Sequence, residues 1–238
     1  MLQAIDLTKR YEDGHLALDH LNLEVKESET FCLLGANGAG KTTTINLFLN
    51  FIDPSDGGAF INGIDAVKDP LEAKKYVSYV SENVMLYGNF TARQNLDFFA
   101  KLGGKTNLKK EDYHMYMRQV GLPEKAFEAR VKTFSKGMRQ KLGITIAIIK
   151  DAPNILLDEP TSGLDPKAAA EFIKILKGLR DQGKSILMCT HDIFRAKEVA
   201  DHVGIMKEGR LVMLRNREQF LEDDLEKIYL DYMQEAVV

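Results

Sequence analysis

The chain has 238 residues, of which 45% are hydrophobic and 28% are charged. These proportions are typical of a folded globular protein and exclude a disordered or fibrous chain. The formal net charge of −3 provides no basic surface for nucleic acid, so we expect no nucleic-acid partner. The longest apolar runs, such as 144–149, are too short to span a bilayer, and the N-terminus lacks a secretory signal pattern. We therefore expect a protein that is cytoplasmic or lies on the cytoplasmic side of a larger assembly.

Short strands open the chain and lead into a glycine-rich loop. Apolar patterning predicts strands over 2–7 and 18–25, with a turn at Asp13-Gly14 between them. The run 30–34 (TFCLL) predicts a fully buried strand. After the loop, apolar residues recur with the spacing of an amphipathic helix, at Ile45, Phe48, Leu49 and Ile52. The loop therefore lies between a buried strand and a helix.

Residues 35–42, GANGAGKT, have the pattern GxxxxGK[ST] of a phosphate-binding loop. Glycines lack a Cβ, so the backbone can curl tightly and point successive N–H groups at an anion, and the positive end of the helix dipole adds to this. By analogy with other such loops, we expect Lys41 to reach the β- and γ-phosphates and Thr42 to ligate Mg²⁺. The alternative is a glycine-rich turn with an incidental lysine, which the flanking strand and helix disfavour.

The middle of the chain is predominantly helical. Patterning predicts short strands at 59–61 and 76–81, and helices at 91–101, 110–120 and 136–149. Ser135 stands at the N-cap position of the third helix, whose N-terminus is a second potential anion site. Taken alone, this feature favours the alternative of an ordinary cap, because serine begins many helices. We predict a helical subdomain over 85–152, inserted into an α/β core with a β subdomain that comprises 1–84 and 153–238.

Two adjacent carboxylates, Asp158 and Glu159, end the apolar run that begins at Asn154. Ligands of a parallel α/β sheet lie at the carboxyl ends of its strands, so both acids are expected beside the phosphate loop. There Asp158 would support Mg²⁺, and Glu159 would orient and deprotonate an attacking water. Solvated loop acids are the alternative. The predicted strand 185–190 ends in the same way at His191, a candidate for positioning water near the γ-phosphate.

Helix signals return in the last third of the chain. Asp165-Pro166 predicts the N-cap and first residue of a helix that runs to about residue 182. Strands are predicted near 203–214. Beyond them, apolar residues predict one helical face formed by Leu221, Leu225, Ile228, Tyr229 and Tyr232.

Four segments in this order resemble the ATP-binding subunit of ATP-binding cassette (ABC) transporters, and most closely the exporter-like, ABC-2-type subgroup. They are GANGAGKTT at 35–43, FSKGMRQ at 134–140, ILLDEPTSGLDP at 155–166 and CTHD at 189–192. The resemblance covers essentially the whole chain. It implies a single ABC ATPase domain over 1–238 of class α/β, with a P-loop NTPase (RecA-like) core, an antiparallel β subdomain and an inserted α-helical subdomain.

The same resemblance implies a function and partners. The chain would bind and hydrolyse ATP with Mg²⁺ and would dimerise on ATP, so that closing and opening of the dimer power substrate translocation by separate membrane permease subunits. Efflux is favoured over import, and a homodimer over a heterodimer. The protein would lie on the inner face of the cell membrane, attached through the permease subunits.

The family's catalytic and metal positions carry over to five residues. Glu159 matches the catalytic base and His191 the switch histidine. Thr42, Glu82 and Asp158 match positions that surround Mg²⁺.

Nucleotide-binding positions carry over in the same way. They are Tyr11, Gly35, Ala36, Asn37, Gly38, Ala39, Gly40, Lys41, Thr42, Thr43, Ser135 and Gly137. Tyr11 matches an aromatic residue that stacks on adenine. Ser135 and Gly137 belong to the signature motif, whose helix N-terminus in this family faces ATP held by a second subunit.

Two positions depart from the family pattern. Lys136 replaces the first glycine of the usual LSGGQ signature, and Glu82 stands where the family usually carries a glutamine that contacts Mg²⁺ and links the site to the membrane subunits. A carboxylate can still ligate Mg²⁺, but it adds negative charge near the phosphates. Our hypothesis is that Glu82 keeps the linking role with an altered dependence on Mg²⁺.

Two other functions compete with transport. Cassette ATPases that act on DNA carry long coiled coils between the phosphate loop and the signature, and those that act on the ribosome typically carry two cassettes, whereas this chain shows one cassette with a short spacing. A small-molecule kinase or GTPase would leave the signature, the paired acids and His191 unexplained. The sequence leaves open the transported substrate.

Overall fold

The structure, a computed structural model, describes residues 1–222 and 224–234. Within these ranges the strands are β1 (Leu2–Arg10), β2 (Leu16–Val25), β3 (Thr30–Leu34), β4 (Asp56–Ile61), β5 (Ile64–Asp65), β6 (Val77–Val80), β7 (Asn154–Asp158), β8 (Ser185–Thr190), β9 (His202–Lys207) and β10 (Arg210–Asn216). The α-helices are α1 (Lys41–Phe48), α2 (Pro70–Ala73), α3 (Ala92–Leu102), α4 (Lys110–Gln119), α5 (Lys136–Lys150), α6 (Pro166–Asp181), α7 (Ile193–Val199), α8 (Arg217–Glu222) and α9 (Leu225–Gln234). In the described ranges, every helix is too short or too polar to cross a membrane.

The strands form two sheets. The first is antiparallel, with the order β2-β1-β4-β5. The second has the order β10-β9-β3-β8-β7-β6, and all its neighbouring strands are parallel except β9 and β10. Every residue of β3, β7 and β8 is buried, as expected for parallel strands that are covered on both faces. The predicted α/β class and the antiparallel β portion are therefore both present.

The parallel pairing brings three chain segments to one edge of the second sheet. In the register between β3 and β8, Leu34 pairs with Thr190. In the register between β7 and β8, Asp158 pairs with Cys189. Because these strands run in the same direction and end at the same level, the residues that follow them emerge side by side.

Helices α3, α4 and α5 lie between β6 and β7 in the sequence and pack on one face of the second sheet. Leu96 of α3, Met117 of α4 and Leu142 of α5 are fully buried and belong to one hydrophobic cluster with Leu157 of β7. These helices thus share a continuous core with the sheet. The exact limits of a helical subdomain at 85–152 remain a prediction.

Some elements differ from the sequence prediction. The short helices α2 and α7 were not predicted, although Asp69 and Asp192 cap them and supply an N-cap signal. The predicted helical face near the C-terminus is confirmed for Leu225, Ile228, Tyr229 and Tyr232, which lie in α9 and pack against the core, whereas Leu221 lies on the separate helix α8. The side chain of Asp224 accepts a hydrogen bond from the Lys227 N–H at 3.1 Å and so starts a new helix.

Two helical glycines give a matched test of this packing. A Cβ on Gly143 of α5 would lie 2.9 and 3.0 Å from the two methyl carbons of Val84, whereas a Cβ on Gly178 of α6 would meet nothing within 4 Å. We expect Gly178→Ala to raise the free energy of unfolding by about 0.5–1 kcal/mol, because alanine lowers the entropy of the unfolded chain. We expect Gly143→Ala to lower it by about 1 kcal/mol, because the overpacking outweighs that gain.

Urea titrations of the two variants and the wild type measure these free energies. Equal stabilisation by both substitutions would contradict the close approach of α5 to Val84.

Candidate functional site

The loop between β3 and α1 is tightly curled, and glycines are required at two of its positions. Gly40 has a φ of +106°, and a Cβ there would lie 2.6 Å from the carbonyl oxygen of Ala17. A Cβ on Gly35 would lie 2.7 Å from the carbonyl oxygen of Met206. These approaches press the loop against the neighbouring strands and leave its outer side free to bind an anion.

Lys41 begins α1 and is only 6% exposed. Its Nζ donates hydrogen bonds to the carbonyl oxygens of Gly35 at 2.6 Å and Ala36 at 3.2 Å. The Oε1 atom of Glu159 is 3.5 Å from the same nitrogen. The ammonium is therefore held at the centre of the loop.

Thr42 and Asp158 form an oxygen-rich pair next to Lys41. The Thr42 hydroxyl donates to the Asp158 carboxylate, with distances of 3.1 Å to Oδ2 and 3.3 Å to Oδ1. Burial raises the pKa of Asp158, the hydrogen bond from Thr42 opposes this, and the nearby carboxylate of Glu159 adds to it. Hydroxyl and carboxylate oxygens are the ligand types that Mg²⁺ prefers.

Glu159 follows Asp158 with a φ of +46°, a conformation that is uncommon for residues other than glycine and tends to occur at functional sites. Its N–H donates to the carbonyl oxygen of Cys189 at 2.9 Å, which fixes this turn against β8. The Oε2 atom accepts from the Thr190 hydroxyl at 3.2 Å and lies 3.0 Å from His191 Nδ1. The Oε1 atom is buried and has the Lys41 ammonium at 3.5 Å as its ion-pair partner, without a hydrogen bond.

These residues surround one cleft of about 260 Å³. It is lined by Tyr11, His15, Ala17, Ala36, Asn37, Gly38, Gly40, Lys41, Thr42, Thr43, Glu82, Asp158 and Glu159. All but His15 and Ala17 were predicted from the sequence. The Tyr11 and His15 rings are nearly parallel, with centroids 6.3 Å apart and an interplanar angle of 7°. The turn at Asp13-Gly14, which brings these two residues together, was the only sequence signal for His15.

The remaining predicted residues lie outside the lining of the cleft. Gly35 and Ala39 are buried on the inner side of the loop, and His191, the residue that follows β8, lies beside Glu159. Ser135 caps α5, since its Oγ accepts from the Met138 N–H at 3.2 Å. A Cβ on Gly137 would lie 3.2 Å from the Cβ of Ala168. The start of α5 therefore faces α6 and does not line this chain's own cleft.

Glu82 lies at the margin of the cleft and has two intramolecular partners. Its Oε1 accepts from the Ser162 hydroxyl at 2.9 Å and lies 3.4 Å from Lys136 Nζ. The hydrogen bond from Ser162, followed by that from Lys136, holds the pKa of Glu82 below its usual range. No sequence pattern predicted the hydrogen bond from Ser162 to Glu82.

Sequence comparison assigns the family. The sequence model of a family described as ABC transporter matches residues 18–162, which include the loop, Glu82, the start of α5 and the paired acids. The chain belongs to the ABC transporter family. It is the ATP-binding, ATP-hydrolysing subunit of such a transporter.

Named relatives of this ABC subunit are similar over most of its length. The bacitracin transport ATP-binding protein BcrA of Bacillus licheniformis is 36% identical over 213 residues, which cover 89% of this chain and 68% of BcrA. The linearmycin resistance ATP-binding protein LnrL of Bacillus subtilis (strain 168) is 30% identical, with coverages of 90% and 68%. The carnitine transport ATP-binding protein OpuCA of Listeria monocytogenes is 30% identical, with coverages of 98% and 59%.

Solved structures agree with this assignment. An ATP-binding subunit of an ABC transporter has a TM-score of 0.82 and 28% identity, with coverages of 97% of this chain and 98% of that chain. An ATP-binding cassette in a dimeric post-hydrolysis state, bound to ADP and Pi, has a TM-score of 0.81 and 26% identity, with coverages of 91% and 99%. The predicted P-loop NTPase fold and ATPase activity are thereby confirmed.

The burial of Asp158 in this ABC subunit predicts that the free energy of unfolding depends on pH. Because the pKa of Asp158 is raised in the folded protein, its ionised form costs stability above that pKa, and the cost disappears as the pH falls below the ordinary pKa of aspartate. We expect Asp158→Asn, without nucleotide and in EDTA, to be more stable than the wild type at pH 7 by on the order of 1 kcal/mol. The gain should shrink at lower pH.

Urea unfolding of both proteins over a pH series checks this expectation. A gain that stays constant with pH, or a loss at pH 7, would show that the Asp158 carboxylate is not penalised by its burial.

Proposed function

We propose that the cleft between the phosphate loop and the paired acids is the ATP site and that Glu159 is its general base. The observation that carries this proposal is the convergence of Lys41, the Thr42–Asp158 pair and the Glu159 carboxylate on one cleft. A polyanion needs the cation and the loop N–H groups, and the Glu159 carboxylate at the same cleft is a base that can take the proton of an attacking water. The other oxygen of Glu159 is occupied by Thr190 and lies beside His191, which orients the carboxylate.

The residues also fit Mg²⁺ and adenine. Thr42 and Asp158 would hold the metal, and Glu82 lies near enough to the cleft to contribute. Bound Mg²⁺ supplies positive charge that offsets the phosphates. Among the described residues no cluster of three or more His, Cys, Asp and Glu side chains could hold a metal by itself. That fits Mg²⁺, which usually takes one or two protein ligands and completes its shell with phosphate oxygens and waters. The stacked rings of Tyr11 and His15 offer a planar surface for the adenine.

The active unit in this proposal contains two cassettes. Ser135 and the N-terminus of α5 do not line the cleft of their own chain, yet a capped helix N-terminus is suited to binding phosphate. We infer that they serve ATP bound by a second copy of the chain, and the dimeric state of a related cassette supports this. The sequence fits a homodimer, because one chain carries both the loop and the signature helix.

An exposed aromatic patch is suited to a permease subunit. We define the patch by Tyr87, Phe90, Phe98 and Leu102. The Tyr87 ring centroid is 5.2 Å from that of Phe90 and 4.9 Å from that of Phe98, and Leu102 is 74% exposed. A groove of about 430 Å³ runs along the patch. Exposed apolar clusters of this kind mark protein interaction sites.

The aromatic patch is joined to the nucleotide cleft by a short, fixed segment. Only four residues separate Glu82, at the cleft, from Tyr87. The fully buried Asn95 of α3 accepts from the Tyr87 N–H at 2.8 Å and donates to the Tyr87 carbonyl oxygen at 3.1 Å. A partner on the patch would therefore be coupled to the margin of the ATP site. We infer that this partner is the permease, which holds the ATPase at the inner face of the membrane.

We also infer export as the direction of transport. The FSKGM signature resembles exporter-type cassettes, and the similarity to the linearmycin resistance protein LnrL agrees with export. The similarity to the carnitine transport protein OpuCA favours import as the second candidate. The substrate chemistry follows from the permease and is left open.

Glu159→Gln is expected to lower the Mg²⁺-dependent ATPase rate by at least about 10²-fold, because a positioned general base contributes about 10²–10⁴. ATP binding should persist, and the variant should accumulate as an ATP-bound dimer detected by light scattering. Glu72→Gln is the matched control, since it removes the same charge from the exposed Lys75 pair on α2. It should leave the rate unchanged.

Three outcomes would contradict parts of this proposal. Unchanged hydrolysis by Glu159→Gln would contradict the role of Glu159 as general base. An ATPase rate strictly linear in enzyme concentration would contradict a dimer as the active unit. In cells of the source organism, Glu159→Gln should cause sensitivity to the compound that the transporter exports, and bacitracin and linearmycin are the first compounds to test because similar proteins are named for them. Loss of carnitine uptake instead would indicate import.

Leu102→Asp tests the aromatic patch. We expect it to reduce, by at least about fivefold, the fraction of the protein that sediments with membranes of the source organism, because a buried charge at an apolar contact costs more than 1 kcal/mol. Leu71→Asp is the matched control, because Leu71 is 79% exposed on α2, outside the patch. Equal retention of both variants would show that the permease binds elsewhere.

A further inference from the structure

The two positions that depart from the family pattern lie in contact. Glu82 and Lys136 are separated by 54 positions in the sequence, yet Lys136 Nζ is 3.4 Å from Glu82 Oε1. The two substitutions carry opposite charges, so one offsets the other. A third group joins them, since the Ser162 hydroxyl donates to the same Oε1 atom at 2.9 Å.

The position of Lys136 is unfavourable for the helix that contains it. Lys136 is the first residue of α5, where the helix dipole disfavours a cation. Its side chain extends across the backbone of Gly163, where a Cβ would lie 3.3 Å from Nζ and 3.6 Å from Cδ. Gly163 has a φ of +65°, which also favours glycine. Gly163 therefore leaves room for a lysine that does not stabilise its own helix, so the contribution of Lys136 must lie in the contact its ammonium makes.

Glu82, whose carboxylate contacts Lys136, also lines the proposed ATP cleft. Glu82 lines that cleft together with Thr42, Asp158 and Glu159, so three carboxylates border a site for a polyanion. An uncompensated third carboxylate would repel the phosphates. The backbone of Glu82 is held as well, because Gln140 Nε2 of α5 donates to its carbonyl oxygen at 2.6 Å.

We propose that Lys136 is a positioning residue that binds the Glu82 carboxylate, turns it toward α5 and Ser162, and offsets its charge so that the cleft accepts ATP. This inference rests on the proposed ATP site. It also explains Glu82 and Lys136, the two residues that depart from the family pattern, as one ion pair. The ion pair connects the cleft of this chain to the N-terminus of the helix that would face the nucleotide of a second chain.

A double-mutant cycle with Lys136→Met and Glu82→Gln tests the pair. Methionine keeps most of the apolar stem of lysine and removes its charge. The measurement is the equilibrium dissociation constant for ATP in EDTA, so that neither turnover nor the metal contributes. We expect Lys136→Met to weaken ATP binding about two- to fivefold, the range of a partly exposed ion pair. The double variant should bind within about 1.5-fold of Glu82→Gln alone, since without the carboxylate the lysine has nothing to offset.

Three further proteins complete the experiment. Lys136→Arg should restore wild-type affinity, and Lys132→Met should leave it unchanged, because it removes the same charge from an exposed position just before α5. Thermal unfolding checks that all variants are folded. Equal weakening by Lys136→Met with and without Glu82→Gln, or no weakening at all, would overturn the inference. A wild type that fails to bind ATP would instead overturn the proposed function.

Discussion

The site depends on one buried cation. The Lys41 ammonium is almost fully removed from water and is held by the carbonyl oxygens of Gly35 and Ala36, with Glu159 at 3.5 Å. A buried ammonium without such partners would be strongly destabilising. The same contacts curl the loop backbone, so groups of the chain itself hold the loop in its anion-binding shape. The cost of organising the site is met during folding.

The second sheet places Asp158 and Glu159 beside the Lys41 ammonium. Because β3, β7 and β8 are parallel and fully buried, their register is fixed by packing on both faces. The turn at Glu159 is tied to β8 through Cys189, and this tie holds its backbone in a conformation that glutamate would otherwise avoid. The antiparallel sheet contributes the Tyr11–His15 side of the same cleft.

Local patterns predicted much of the fold and of the site. Three features each depend on a few consecutive residues: the phosphate loop, the paired acids and the Ser135 cap. A local sequence pattern is therefore sufficient to predict them. His15 was missed because its role depends on how β1 pairs with β2. The contact of Glu82 with Lys136 and Ser162 joins segments 54 and 80 positions apart, and no local pattern encodes it. The break before α9 was missed because helical periodicity continues across it.

The close approach at Gly143 has a mechanical consequence. Gly143 has no side chain, so the α5 backbone packs directly against Val84. Val84 belongs to the segment 83–86, which connects the cleft to the aromatic patch, and no deformable side chain of α5 lies between the two at this point. Close-packed atoms of this kind transmit displacement and do not absorb it. Helix and segment are therefore expected to move as one stiff body. Force applied at the outer surface would then arrive at the margin of the nucleotide cleft with little loss.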